Sequence, residues 1–395
     1  MFKFSRPLRL NFMNAGIYIH IPFCKSRCSY CDFATDVYRN NDAVERYVSA
    51  LVKEITNYEL RITNYESQTP NPKSQIETIY FGGGTPSLLS AAQLEKILSA
   101  IHKTFAVEEK TEFTLEMNPA TVTLEKLRDF RSLGVNRASF GVQTFNDLSL
   151  KLLARGHDAN DARKTFELLR ASGFDNVSFD LIAGLPHQTL EDWEKNLDEA
   201  LKLNPEHLSL YLLEIHEGTP LAEQIRSQRQ PEPDEDLAGE MYEMMIEKTA
   251  GKGFLQYEIS NFARAGFESK HNSKYWLCEP VYAFGVSAHS FDGRQRRANE
   301  RDTNRYVALI ENNEPAVVYD EEIDLASEFV FLGLRMMRGV DLETYEKKFG
   351  VNLLSKYSGD LERLTSLGLV EIVENRLRLT SRGALFSNEV FAVFV

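Results

Sequence analysis

Three of the chain's four cysteines lie within eight positions, in the segment IPFCKSRCSYCDF (21–33). Cys24, Cys28 and Cys31 form a CxxxCxxC pattern among charged and polar residues, an unusual setting for inert buried thiols. Structural zinc normally needs four ligands in a closed tetrahedron, and no further cysteine or histidine adjoins the three. An iron–sulfur cluster held by three thiolates would leave one iron open to another ligand. The spacing therefore favours such a cluster over zinc or over thiols without a function.

Strand and helix patterns alternate around this loop. Runs rich in β-branched and aromatic residues predict six strands at 16–22, 76–84, 112–119, 137–144, 176–186 and 207–215. Amphipathic stretches predict helices at about 42–62, 91–104, 123–133, 158–172 and 189–203, the last four entered through Ser90, Thr123, Asp158 and Thr189 as N-caps. This alternation predicts an α/β fold with a parallel sheet, either an open, partial (β/α)6 barrel or a doubly wound sheet.

Residue types suited to chemistry stand at the carboxyl ends of these strands. The cysteine loop follows the first strand, residues 82–85 the second, 116–118 the third and Gln143 the fourth, and 180–186 lie in or after the fifth. Parallel strands bring their carboxyl ends to one edge of the sheet, where such folds place their functional residues. We therefore expect one site at that edge.

Composition limits the class of protein. The 395 residues, 43% hydrophobic and 26% charged, are typical of a folded chain of two or three domains. A net charge of −13 argues against a broad nucleic-acid-binding surface. No run reaches the ~18–20 apolar residues of a membrane span, and the start of the chain has no apolar signal-peptide core. We expect a cytoplasmic protein without a membrane anchor, in a compartment where clustered cysteines more often bind metal than form disulfides.

The CxxxCxxC loop after the first strand resembles that of the radical S-adenosylmethionine (SAM) superfamily, in which three cysteines hold a [4Fe-4S] cluster whose open iron binds SAM. FGGGTPS (81–87) resembles the segment that receives the SAM aminocarboxylate, where glycines allow close backbone approach. The motifs YIHIPFC, EMNP, FGVQTF, LLARGH and DLIAGLP resemble the oxygen-independent coproporphyrinogen dehydrogenases and the related HemW heme chaperones. This resemblance implies SAM contacts by Tyr18, Gly83, Gly84, Thr85, Glu116, Gln143, Arg155 and Asp180.

Two features separate the branches of that family. The dehydrogenases carry a further cysteine two residues after the third one, and Phe33 stands at that position here. HNSKYW (271–276) matches the HNxxYW motif associated with heme binding in the chaperone branch. The match implies that His271 ligates heme iron and that Tyr275 and Trp276 pack against the porphyrin. The resemblance thus implies a radical SAM protein that binds heme without coproporphyrinogen dehydrogenase activity, and an oxidative decarboxylase of coproporphyrinogen III is the alternative.

The resemblance also implies partners. Heme would be delivered to apo-hemoproteins, including those of a respiratory chain, and a homodimer is the alternative to a monomer. His20 is expected to line the barrel or to hydrogen-bond the cysteine loop, and Cys278 to be a buried thiol without a ligand role.

Four regions are expected along the chain: an N-terminal extension (1–15), the partial barrel (16–230), a connecting region with the HNxxYW motif (231–320) and a smaller helical, winged-helix-like C-terminal domain (321–395). The winged-helix expectation depends on LVEIVENRLRLT, which predicts a hairpin beside helices. The ITNYE repeat within 55–67 predicts a solvated extension of the first helix that continues into a loop, an insertion in the alternating pattern.

Overall fold

The structure is a computed structural model that describes residues 14–38, 40–58 and 75–395. Its strands are β1 (Asn14–Ile21), β2 (Phe23–Cys24), β3 (Asp36–Val37), β4 (Gln75–Gly83), β5 (Ala106–Met117), β6 (Arg137–Gln143), β7 (Val177–Ala183), β8 (His207–Leu212), β9 (Leu255–Glu258), β10 (Asn261–Ala263), β11 (Val281–Phe284), β12 (His289–Phe291), β13 (Gln295–Asn299), β14 (Val317–Glu322), β15 (Val340–Asp341), β16 (Val370–Val373) and β17 (Arg376–Leu379).

The α-helices are α1 (Asn41–Thr56), α2 (Ala91–Thr104), α3 (Leu124–Ser132), α4 (Asp147–Leu152), α5 (Ala159–Ala171), α6 (Leu190–Leu203), α7 (Pro220–Arg226), α8 (Glu235–Ala250), α9 (Lys270–Trp276), α10 (Thr303–Glu311), α11 (Leu325–Gly333), α12 (Leu342–Phe349), α13 (Leu353–Lys356), α14 (Ser358–Ser366), α15 (Ser381–Leu385) and α16 (Ser387–Phe391). A short 3-10 helix (Pro86–Leu88) follows β4. In the described part of the chain, no helix combines the length and apolarity that crossing a membrane requires.

Twelve strands form one sheet in the order β14-β13-β12-β11-β1-β4-β5-β6-β7-β8-β10-β9. The seven strands from β11 to β8 are parallel, and antiparallel strands extend both ends. The six predicted strands correspond to β1, β4, β5, β6, β7 and β8, so the parallel α/β architecture is confirmed. The described strands close no ring, because β14 and β9 stand at opposite ends of the order.

The seventh parallel strand was not predicted. β11 has only four residues and pairs with β1, on the side opposite β4. Its VYAF segment is not followed by an amphipathic helix, so local periodicity gave no sign of a further βα unit. The region expected to connect two domains therefore supplies strands β9 to β13 of the main sheet. The boundaries proposed from the sequence stay predictions.

All four predicted N-caps are present. Ser90, Thr123, Asp158 and Thr189 each accept a hydrogen bond from the backbone of the helix they begin, and three of them complete a capping box. Such caps satisfy backbone N–H groups that the first turn leaves without a partner. α1 ends at Thr56, earlier than predicted, and most of the ITNYE repeat lies outside the described residues.

The last part of the chain contains α11 to α16 and a small sheet in the order β15-β17-β16. The predicted hairpin is β16 and β17, joined through Glu374 and Asn375, which have φ values of 49° and 63°. Two successive positive φ values are the signature of a tight turn whose twist matches that of the strands. A helical C-terminal domain with a small hairpin is therefore present.

Side chains alternate across the parallel strands. Ile17, Ile19 and Ile21 of β1 are fully buried in the hydrophobic core between the sheet and its helices. Tyr18 and His20, the residues between them, point to the other face because successive strand residues face opposite sides. β1 therefore separates an apolar outer layer from the barrel interior.

Candidate cofactor site at the barrel mouth

The interior face of the barrel is polar. Register places Thr114 beside Arg137, and Ser178 beside His207, on this face. These four residues are at most 1% exposed. Buried polar groups carry a desolvation cost unless they find partners, so a polar interior indicates a site for a polar ligand rather than a stabilising core.

The cysteine loop lies over this interior. Cys24 ends β2 and is buried, whereas Cys28 and Cys31 are half-buried. Thr85 Oγ1 lies 3.6 Å from Cys24 Sγ, and Arg155 Nη1 donates to Cys28 Sγ at 3.4 Å. The loop is therefore held against Thr85, at the end of β4, and against Arg155 through the sulfur atoms themselves.

Burial favours the neutral form of the Cys24 and Cys31 thiols. Burial raises the pKa of Cys24 to about 11, and the other two thiols add to this effect. Burial likewise raises the pKa of Cys31. Three adjacent thiolates thus require a compensating positive charge, which iron supplies.

The cysteines are not arranged around a single ion. No three His, Cys, Asp or Glu side chains among the described residues surround a common point in the geometry of one metal ion. Ligands of a cubane bind three different irons and need not converge in that way. The predicted ligation by Cys24, Cys28 and Cys31 stays a prediction.

Two glycines at the end of β4 make room at the mouth. Gly83 has φ of 106°, and its N–H donates to Glu116 Oε2 at 3.2 Å. A Cβ on Gly84 would lie 2.7 Å from Pro22 O and 2.8 Å from Phe23 O. Only glycine allows this approach between the segment and the start of the cysteine loop.

Two carboxyl groups stand inside the mouth. Tyr80 Oη donates to Glu116 Oε1 at 2.6 Å. Burial, with a smaller contribution from Asp180, raises the pKa of Glu116 to about 7. Burial also raises the pKa of Asp180 to about 6, although Ser209 and Arg137 oppose the shift. A bound ligand that offers these two carboxyls a hydrogen-bond donor or a positive charge would therefore stabilise their ionised form.

Arg155 links the cysteine loop to the strand ends. Besides Cys28, it donates from Nη2 to Asn118 Oδ1 and, at 2.6 Å, to Gly141 O. Asn118 in turn donates to Thr85 Oγ1 at 3.2 Å. Gln143 ends β6 at φ of 68°, where the pairing with β7 shifts register. A strained residue at a strand end is a frequent feature of ligand sites.

These features fit a cluster with a ligand beside it. The Nε atom of Arg155 is buried without a hydrogen-bond partner in the described residues. The two glycines leave backbone accessible, and three thiols share one loop. Cys24, Cys28 and Cys31 would hold the cluster, while Arg155 and the exposed amides would suit a carboxylate.

His271 is buried in the barrel interior. It is 1% exposed, and its ring stacks on Tyr80 with centroids 5.0 Å apart. Nδ1 pairs with Thr78 Oγ1 at 2.8 Å, and Nε2 lies 3.2 Å from Tyr275 Oη. Burial lowers the pKa of His271 to about 3. Both ring nitrogens are engaged, so an iron atom would reach Nε2 only after displacing Tyr275.

Trp276 and Cys278 face the C-terminal part of the chain instead. The Arg335 guanidinium lies over the Trp276 ring at 4.3 Å. Cys278 is buried, and burial raises its pKa to about 12. The motif therefore spans two environments, with His271 inside the barrel and Trp276 under the following helices.

Sequence reasoning did not single out Tyr80 or Arg137. Tyr80 positions Glu116, and Arg137 is a fully buried cation that acts on both Glu116 and Asp180. The alternation of side chains along a strand could have indicated that both residues face the interior. Tyr80 alternates with the core residues Ile79 and Phe81, and Arg137 directly precedes a buried apolar residue. A buried arginine at a strand start is otherwise indistinguishable from a surface one in sequence.

Comparison with known proteins agrees with this geometry. The model of the radical SAM superfamily matches residues 18–200, and that of the HemN C-terminal domain matches residues 321–386. The solved structure of coproporphyrinogen III oxidase (HemN) from Escherichia coli covers 96% of this chain and 89% of its own, with a TM-score of 0.81 and 24% identity. At that identity the likeness shows the fold alone.

Curated relatives resemble the chain over nearly its whole length. The heme chaperone HemW of Bacillus subtilis is 38% identical, over 96% of this chain and 98% of its own. HemW of Lactococcus lactis is 35% identical, over 96% of both chains. The mouse mitochondrial radical S-adenosyl methionine domain-containing protein 1 is 34% identical, over 93% of this chain and 84% of its own. The chain therefore belongs to the HemW heme chaperone family of the radical SAM superfamily.

Proposed function

We propose that this protein binds heme and delivers it to apo-hemoproteins, as a heme chaperone of the HemW type. A [4Fe-4S] cluster on Cys24, Cys28 and Cys31, and SAM beside it, belong to the same proposal. The observation that supports this proposal most strongly is the 38% identity to a curated heme chaperone. That identity extends over nearly the full length of both chains, the C-terminal domain included.

The SAM contacts proposed from the sequence are joined by a chain of contacts. Tyr18 stacks near Tyr80, and Tyr80 donates to Glu116. The other proposed contacts lie around the same mouth: Gly83, Gly84, Thr85, Gln143, Arg155 and Asp180. His271 is proposed as a heme contact on the motif match, through a movement of Tyr275.

Phe33 supports the chaperone over the dehydrogenase. It is 66% exposed beside the cysteine loop, at the position where the dehydrogenases have a further cysteine. A large exposed aromatic side chain suits contact with a flat apolar ligand.

The proposal also includes a cytoplasmic location for the protein, recipient proteins in a respiratory chain, and a homodimer as the alternative to a monomer.

One anaerobic experiment separates the two functions. The reconstituted protein is incubated with SAM, a reductant and coproporphyrinogen III, and a parallel sample is titrated with heme and followed by absorbance. Stoichiometric heme binding without decarboxylated product is expected. Product at catalytic turnover would establish the alternative, an oxygen-independent coproporphyrinogen III dehydrogenase, and absence of heme binding would contradict the chaperone function.

A further inference from the structure

A second cavity lies beside the cofactor site. It has a volume of about 380 Å³, within the usual range of ~300–1,000 Å³ for ligand pockets. The residues after Cys31 form one side, and the segment around β12 forms another. Its lining includes Tyr18, Phe33, Tyr275, His289 and Arg301. The cavity thus touches the HNxxYW motif through Tyr275.

Three histidines lie at or near this cavity, and they differ in hydrogen bonding. His20 pairs through Nδ1 with Tyr18 Oη at 3.1 Å and through Nε2 with Ala34 O at 2.9 Å. His271, behind Tyr275, also has both nitrogens engaged. The ring of His289 is exposed, and no hydrogen bond joins it to another described residue. His289 is therefore the imidazole that a ligand meets first.

An arginine and the carboxylate with which it pairs line the cavity beside His289. Arg301 reaches the cavity and binds Asp32 of the cysteine loop, with Nη2 2.6 Å from Asp32 O and 3.0 Å from Oδ1. Partial burial lowers the pKa of His289, and Arg296 and Arg301 add to the effect. The neutral imidazole that ligates iron is thus favoured.

The turn before His289 is held in place by backbone contacts. Gly285 has φ of 102°, and Ser287 has φ of 55°, which is unusual for a residue with a side chain. Ser287 N donates to Glu300 O at 2.8 Å, and Gly285 N donates to Glu54 Oε2 at 2.9 Å. A strained turn that is fixed from both sides presents His289 in one position, as a preorganised ligand site requires.

We propose that this cavity binds heme, with His289 as an iron ligand and Arg301 as the partner of a propionate, an inference that rests on the proposed heme-carrying function. Phe33 and Tyr275 would contact the macrocycle, because flat aromatic surfaces pack well on one another. In place of the direct contact that the motif match suggests, His271 would then act on the heme through Tyr275, which it holds by a hydrogen bond. An iron ligand that is itself exposed, as His289 is, suits a protein that must release its heme.

The test is a heme titration of the full-length, cluster-reconstituted protein, followed at the Soret band. His289→Ala is expected to weaken heme binding about tenfold and to remove the spectrum of imidazole ligation, with added imidazole restoring it. Arg301→Ala is expected to weaken binding about fivefold, and Arg301→Lys less. The iron content of the cluster should not change in either variant.

Matched controls lie outside the cavity. His102→Ala on α2 and Arg294→Ala before β13 alter exposed residues and should leave heme binding unchanged. Iron-free protoporphyrin IX provides another comparison: replacing His289 should affect its binding much less than that of heme, since it has no iron to ligate.

The outcomes separate the inference from the function on which it rests. Wild-type protein that binds no heme overturns both. Heme binding with an unchanged spectrum and affinity in His289→Ala overturns only the inference. If His271→Ala removes the imidazole spectrum and His289→Ala does not, the iron ligand is His271 and the cavity assignment is wrong.

Discussion

At the scale of single residues, the cysteines differ by their surroundings rather than by their chemistry. Cys24, Cys28 and Cys31 share one loop, and Thr85 and Arg155 contact two of their sulfurs. Cys278 is buried elsewhere, near charged side chains of the C-terminal part. A cysteine thiol is thus a candidate metal ligand in the loop and a packing group at position 278.

Serine at position 24, 28 or 31 is expected to prevent formation of a stable cluster, because a hydroxyl is a poor substitute for a thiolate toward iron. Each variant should bind well below the about four irons per chain of a complete [4Fe-4S] cluster after anaerobic reconstitution. Iron analysis and absorbance provide the measurement. Cys278→Ser is the control and should load normally, whereas normal loading of all three loop variants would refute the assignment.

At the scale of elements, one carboxylate joins α1 to the segment that carries β11, β12 and β13. Glu54 Oε2 accepts from Gly285 N at 2.9 Å and from Tyr306 Oη at 2.6 Å. Its Oε1 accepts from Asn299 Nδ2 at 2.8 Å. Both oxygens therefore receive donors in a buried setting, and the position of the turn before His289 depends on them.

Glu54→Gln is expected to lower the free energy of unfolding by about 3 kcal/mol, because in either orientation the amide NH2 would face an N–H that can only donate, Gly285 N or Asn299 Nδ2. Glu45→Gln, on the same helix, removes an exposed pair with Lys96 and should cost less than about 1 kcal/mol. Chemical denaturation of both variants gives the comparison. Equal losses would show that Glu54 is not the special contact that its three donors indicate.

At the scale of the whole molecule, the C-terminal part packs on the sheet edge and on the motif helix α9. Met337 N donates to Tyr257 O at 3.0 Å, and Arg335 pairs with the buried Glu258 at 3.3 Å. The Arg335 guanidinium also lies over the Trp276 ring, and this contact belongs to the same interface. The HNxxYW helix is thus held between the barrel interior and the C-terminal helices.

The raised pKa of Glu116 makes the stability of the cluster-free protein depend on pH. The unfolded carboxyl loses its proton near pH 4.5 and the folded one near pH 7, so folding takes up a proton between these values. The resulting stabilisation is complete below about pH 4.5 and is lost as pH rises through about 7. From pH 5 to 8, unfolding free energy should fall on the order of 2 kcal/mol more in the wild type than in Glu116→Gln.

Urea denaturation of the two proteins at both pH values measures this difference. Tyr80, Asp180 and Arg137 surround Glu116 in both proteins, so their own contributions largely cancel in the comparison. Parallel pH profiles of wild type and variant would contradict a proton held by Glu116.

The sequence by itself determined the local structure and the candidate chemistry. Its period-two and amphipathic patterns located six parallel strands and four capped helices, because side-chain alternation and capping act over a few residues. The spacing of the three cysteines and the residues at the strand ends indicated the site, since parallel strands necessarily bring those ends together.

Only the tertiary structure decided which distant residues meet. β11 pairs with β1 although some 260 positions separate them in the chain, and no local pattern records such a partner. Contacts between α9 and β4 place His271 beneath Tyr80, whereas His289 on β12 stays exposed in the cavity. A histidine's role depends on its burial and hydrogen-bond partners, which arise from long-range packing. The motif could therefore be recognised in the sequence, but the imidazole that is open to a ligand could not.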